Sequence, residues 1–189
     1  MGLNLDPSVS GPTVGFFKLV STSGRDGFLG ALLVTDHISK PLEFRVTLPV
    51  KPNPVQRTIY GPSLIPHVGV DLCGRPLYEI LETKPSLLLV EDERLLRLSQ
   101  AIPGHVVLVR PEENRAETAQ GEPQETILSD PNGRFPSIAV SCPSDYDSLR
   151  CQEALRLVKT MFSHIDLLEP FQRVENAVRV LAQEDERFR

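Results

Sequence analysis

Thr13 to Leu48 reads TVGFFKLVSTSGRDGFLGALLVTDHISKPLEFRVTL, and this stretch decides the fold class. Val14 to Ser21 and Phe28 to Thr35 are apolar, β-branched or aromatic runs of strand length. Between them lies Thr22-Ser23-Gly24-Arg25-Asp26-Gly27, whose two glycines suit the loop of a β-hairpin. Leu42, Phe44, Val46 and Leu48 then alternate with Glu43, Arg45 and Thr47. That period of two predicts a strand with one face buried and one face wet.

Moving outward toward the C-terminus, Asn53 is placed to cap a short helix that begins at Pro54 and ends at Gly61-Pro62. Ser63 to Lys84 carries Leu64, Ile65, Val68, Leu72, Leu77, Ile80 and Leu81 at helical spacing. Cys73-Gly74-Arg75-Pro76 interrupts it, predicting two helical pieces with a kink. Leu87 to Val90 and His105 to Val109 are uninterrupted apolar runs, the pattern of central strands covered on both faces, with a brief helix over Glu93 to Gln100 between them. Asp130-Pro131-Asn132-Gly133 predicts a tight turn joining Thr126–Ser129 to Phe135–Ser141. Ser144, with Asp147 three residues on, resembles a capping box ahead of a helix whose face is Cys151, Leu155, Val158, Phe162 and Ile165. Pro170 opens a second helix with Val174, Ala177, Val178 and Leu181 on one side, completing an αα-hairpin.

Moving outward toward the N-terminus, residues 1 to 12 contain Asp6-Pro7 and Gly11-Pro12 and little to bury, so a flexible leader is expected there. The expected architecture is α+β: a mostly antiparallel sheet with packed helices and a C-terminal helix pair. Residues 13–189 are expected to form a single domain with an acidic mobile loop at 111–125. In that loop Glu, Gln, Ala, Gly and Pro dominate and no apolar anchor offsets the entropy of ordering.

A chain of 189 residues can bury enough surface to fold without disulfides or a structural metal. Its formal net charge of −5 resides in the acidic segment, where Glu112, Glu113, Glu117, Glu122, Glu125 and Asp130 face Arg115 alone. The remainder is neutral, which argues against a nucleic-acid binder working through bulk positive charge, although a small basic face remains around Lys18, Arg25, Arg45, Lys51 and Arg57. The three cysteines, Cys73, Cys142 and Cys151, form no close-spaced framework and no secretion signal precedes them. Both features point to reduced thiols in the cytoplasm. No apolar run approaches the length of a bilayer span, so no membrane role is expected.

Cys142 is the most chemically suggestive residue, closing a predicted strand just before a helix N-terminus, where the helix dipole lowers a thiol's pKa. A phosphatase loop would need arginine six positions later, where Ser148 stands. A protease-like pairing would need one of His37, His67, His105 or His164 nearby in space. As a free cysteine its commoner role is a small buried hydrophobe.

His67, Asp71 and Cys73 share a helical spacing but make an incomplete ligand set, and no motif calls for a metal or a cofactor. Gly24-Arg25-Asp26-Gly27 and Gly61-Pro62-Ser63 match no phosphate-binding loop and read as turns. Among the carboxylates Asp36, Glu43, Asp71, Glu91 and Asp92, the last two stand between a strand and a helix, where acidic caps are common. Ser141 and Ser144 lack a GxSxG elbow.

Leu167, Leu168, Phe171, Val180 and Phe188 widen the apolar stripe of the C-terminal helices and are the expected partner-binding surface, for another protein subunit or a second copy. The absence of an assembled catalytic motif points to a non-enzymatic protein-interaction or regulatory subunit of a bacterial multi-protein system. The alternatives are a small hydrolase or transferase using Cys142, and a small-ligand sensor with a pocket between the sheet and the helices of residues 63 to 84.

Overall fold

The computed structural model describes residues 2–4, 11–22, 24, 26–114 and 125–188. Eight strands form one sheet: β1 (Gly2–Asn4), β2 (Val14–Ser21), β3 (Phe28–Thr35), β4 (Pro41–Val46), β5 (Leu87–Val90), β6 (His105–Pro111), β7 (Thr126–Leu128) and β8 (Ile138–Ser141). Their order across the sheet is β1-β4-β3-β2-β5-β6-β8-β7. The pairs β2–β5 and β5–β6 are parallel and the others antiparallel. The class is therefore α+β with a mostly antiparallel sheet and packed helices. Residues 5–10, from the expected leader, and residues 115–124, from the expected acidic loop, lie outside the described residues.

The expected hairpin forms with Val14 opposite Thr35 and Ser21 opposite Phe28. The alternation along β2 sends Val14 and Phe16 to one face and Phe17 to the other. The first face packs on helices α5 (Ser148–Phe162) and α6 (Glu169–Glu184), where Phe16 meets Phe171 edge to face at 5.4 Å. The second face packs on the helical chain from residue 61 to residue 101. The helices cover both faces of β5 and β6, as their apolar runs require.

Helix α1 (Pro54–Tyr60) starts at Asn53 in a full capping box with Gln56, each side chain accepting from the other residue's backbone N–H at 2.9 Å. Beyond it the expected kink is replaced by a continuous helical path: a 3-10 turn (Gly61–Ser63), α2 (Leu64–Pro66), a π-helix (His67–Gly74) and α3 (Arg75–Glu79). The wider π turn absorbs Pro76, because Arg75 N–H donates to the Val70 carbonyl five residues back while Pro76 has no N–H to give. Ser144 is not the cap of α5. Asp147 fills that position and accepts from Arg150 N–H at 2.7 Å.

The carboxylate of Glu43 is fully buried on β4 and accepts from the backbone N–H groups of Glu82 and Thr83 and from Arg45 Nε. It ties the strand to the loop that leads into β5.

Candidate functional site

The chain leaves β2 toward β3 on one side and leaves β5 toward β6 on the other, although β2 and β5 are parallel neighbours. The crevice outside the carboxyl ends of such a pair is where ligands bind in sheets of this kind. The last rung of the pair joins Phe17 to Val90, so the next residues, Lys18 and Glu91, meet at the rim. Lys18 continues the alternation of Val14 and Phe16 and reaches the α6 side of the sheet.

There its ammonium lies 2.7 Å from Glu91 Oε2 and 3.0 Å from Glu175 Oε2. Glu175 borders the apolar face of α6 formed by Phe171, Val174 and Val178. Burial alone would lower the Lys18 pKa, but hydrogen bonds and charge attraction from the two glutamates outweigh it and raise the pKa above its ordinary value. The same hydrogen bond from Lys18 lowers the pKa of Glu175. Both partners hold their charged forms at neutral pH. An ammonium has three N–H donors, so the two glutamates leave one to meet an incoming acceptor.

A cleft of about 440 Å³ adjoins this triad, lined by Val20, Thr22, Glu175, Arg179 and Phe188 among others. Arg179 Nη2 is 3.4 Å from Glu175. After Glu91, Asp92 caps a 3-10 helix (Glu93–Arg97) through Arg94 N–H and also pairs with the Arg94 guanidinium at 2.6 Å. Arg97 is exposed at the end of that helix. A second cleft, about 410 Å³, lies between Tyr60, His67, Arg75 and Arg97, with the Tyr60 and His67 rings stacked at 4.7 Å.

The other candidates disperse. Cys142 is joined to Cys151 in a disulfide between the end of β8 and the first turn of α5, so it is not a free nucleophile in this structure and the pair is not reduced as expected. Cys142 follows the end of β8 as expected, but α5 begins only at Ser148, and the partner nine residues on, brought within Cα–Cα 5.9 Å, is not visible in the spacing.

His67 pairs with Asp71 at 2.9 Å, while Cys73 is buried against Gly30 and Thr47. Asp36 organises its own turn by accepting from Ile38 and Lys40 N–H. Gly61-Pro62-Ser63 is part of the helical path. Arg45, Lys51 and Arg57 of the basic face are engaged by Glu43 and Glu82, by Asp26, and by the carbonyls of Pro52 and Asp26 respectively; Arg25 lies outside the described residues.

Leu167, Phe171 and Phe188 are buried in the core, Leu168 is half-buried against it, and Val180 is exposed. The width of that stripe is thus largely taken up by the sheet. At Gly30 the helices of residues 63 to 84 pack directly on the sheet, where a small-ligand space was expected: a Cβ there would stand 2.5 Å from Cys73 Cβ.

Neither a protein-family model nor a curated protein matches the sequence. Solved structures do match. A crystal structure of endonuclease V from Bacillus subtilis superposes with a TM-score of 0.56 at 11% identity, over 91% of this chain and 80% of its own. Endonuclease V from Streptomyces avermitilis gives 0.56 at 14% identity, over 94% and 84%. The Ciona intestinalis endonuclease V, solved in complex with a 24mer DNA containing an inosine followed by a ribo-adenosine, gives 0.55 at 14% identity, over 92% and 87%.

The chain has the endonuclease V fold.

This overturns the expectation of a non-enzymatic protein-interaction or regulatory subunit, since the structures sharing the endonuclease V fold are named as nucleases. The argument from net charge against nucleic acid is corrected by the same finding, because the Ciona endonuclease V holds DNA. Net charge averages over a chain, whereas contact to a nucleic-acid backbone depends on local cations.

Nucleases commonly place divalent metals between carboxylates. In this chain the endonuclease V fold carries, at that rim, an ammonium between Glu91 and Glu175, and among the described residues no group of three or more His, Cys, Asp or Glu is placed to hold a metal ion. The donor set does not fit a metal. From the sequence Lys18 belongs to the basic face and Glu91 to a helix cap, and nothing local marks Glu175. The available signal was a lysine breaking an apolar strand, Gly15-Phe16-Phe17-Lys18-Leu19, and a glutamate directly after a second one.

Proposed function

We propose that this chain acts on nucleic acid, receiving a phosphodiester backbone at the rim where β2 and β5 end. The observation that carries the reading is Lys18, an ammonium at the switch point of an endonuclease V fold, held by two glutamates with one N–H donor left for a phosphate oxygen. Beside it Arg179 pairs with Glu175 at 3.4 Å, adding a second cation to the two glutamates at the rim.

The geometry supports binding and assigns no hydrolysis. Glu91 and Glu175 are both committed to Lys18, so no hydrolytic step is assigned to either. Among the described residues no helix is long and apolar enough to cross a membrane. The cytoplasm is the proposed compartment, and in its reducing conditions Cys142 and Cys151 would stand as a dithiol.

The test is fluorescence anisotropy with a 24-residue DNA containing one inosine, its guanine counterpart, and an RNA of the same sequence, at low and moderate salt, with strand integrity followed in the same samples. Saturable binding that weakens with salt is expected, with Lys18→Gln lowering affinity roughly tenfold and the salt slope by about one unit. Absence of saturable binding to all three probes, or binding that ignores Lys18→Gln, overturns the reading.

A further inference from the structure

We propose that the Lys18 ammonium stands in the place of a divalent cation between Glu91 and Glu175, so that the rim engages a phosphodiester backbone without metal. The second half of this statement rests on the reading above; the first stands on geometry alone. Two carboxylates from different elements, one after β5 and one on α6, converge on a single point at the switch of a sheet. Such convergence of like charge is unfavourable unless a cation sits between them.

A hard divalent ion would take that position with oxygen ligands at roughly 2.0 to 2.6 Å. Here the chain supplies the cation itself, on a stem that β2 directs toward α6 by its alternation. The lysine side chain is 23% exposed, so it is not sealed off from solvent, and Glu175, its partner, lines the adjoining cleft. Like a metal ion, it links carboxylates on one side to an acceptor on the other. Unlike one, it needs no loading and brings a single positive charge.

The experiment measures Mn2+ binding by electron paramagnetic resonance of the free ion, without nucleic acid, on wild type, Lys18→Asn and Lys18→Asp. Lys18→Asn removes the cation without adding charge, and each variant's fold is checked by circular dichroism and its melting midpoint. Wild type is expected to show no saturable site up to about 1 mM Mn2+. At least one folded variant should bind roughly tenfold or more tightly than wild type, and should lose that gain when Glu91→Gln is added.

A wild-type Mn2+ site abolished by Glu91→Gln would overturn the proposal. So would folded variants that bind no better than wild type. Oligonucleotide binding is then repeated in EDTA. Binding that survives supports metal independence, and binding present with Mn2+ but lost in EDTA overturns it, whereas no binding in either condition sinks the reading of the rim and leaves the Mn2+ result to stand by itself.

Discussion

Lys18 and Glu91 stand side by side across the parallel strands β2 and β5, one residue past the Phe17–Val90 rung, with Nζ and Oε2 2.7 Å apart. Seventy-three positions separate them in the chain, and the pairing of two apolar strands brings them together. Glu175 closes the contact from α6 at 3.0 Å. The triad therefore joins sheet to helix at the rim, and its protonation is coupled to folding.

Acid should weaken this contact in a defined window. The pKa of Glu175 is lowered in the folded chain below its ordinary 4.5 by the hydrogen bond and charge of Lys18. A depressed carboxyl binds fewer protons folded than unfolded, so its stabilisation is complete above about pH 4.5 and fades as pH falls through the folded value. Melting midpoints from pH 7 to pH 3 should fall more steeply for wild type than for Lys18→Gln. Parallel curves would show that the contact contributes nothing measurable.

Gly30 lies mid-strand on β3 because the π-helix packs directly onto it. A Cβ there would approach Cys73 Cβ to 2.5 Å and the Phe17 ring to 3.3 Å, both in fully buried surroundings. Gly30→Ala should cost about 1 to 3 kcal/mol by overpacking, read as a lower urea midpoint with unchanged slope.

Glu43→Ala should be more damaging than its surface-type chemistry suggests. The carboxylate is wholly buried, and removing it strips acceptors from Glu82 N–H, Thr83 N–H and Arg45. The expected loss is on the order of 3 kcal/mol, with Glu43→Gln losing less because an amide oxygen still accepts. Chemical denaturation of both variants checks the order.

The Cys142–Cys151 bond closes a short loop between β8 and α5. Reduction, or Cys142→Ser, should destabilise the oxidised protein by about 2 to 3 kcal/mol through the regained freedom of the unfolded chain. Thiol titration in denaturant should count one thiol before reduction, from buried Cys73, and three after it.

Most elements of the fold were legible because their signals are local. The apolar runs of 87–90 and 105–109, Asn53 before Pro54 and Pro170 before a helical stripe each act within one turn or one strand, and each element formed; the alternation in 42–48 became a strand over Pro41–Val46 alone, with Leu48 exposed beyond it and Glu43 buried. The misreadings had local causes too. Asp147 outcompeted Ser144 as a cap, and a π turn accommodated Pro76 where a kink was expected.

The sequence by itself determined most of the strands and helices, because period and punctuation are properties of neighbours along the chain; it did not show β1 (Gly2–Asn4) within the expected leader or the burial of Glu43 on the face expected to be wet. Only the tertiary structure decided that β2 and β5 run parallel, that Lys18 meets Glu91 and Glu175, and that Cys142 has a partner. Strand order carries no period in the sequence; it follows from how the whole set of apolar faces is buried at once. A site assembled at a crossing of that order becomes visible only when the order is known.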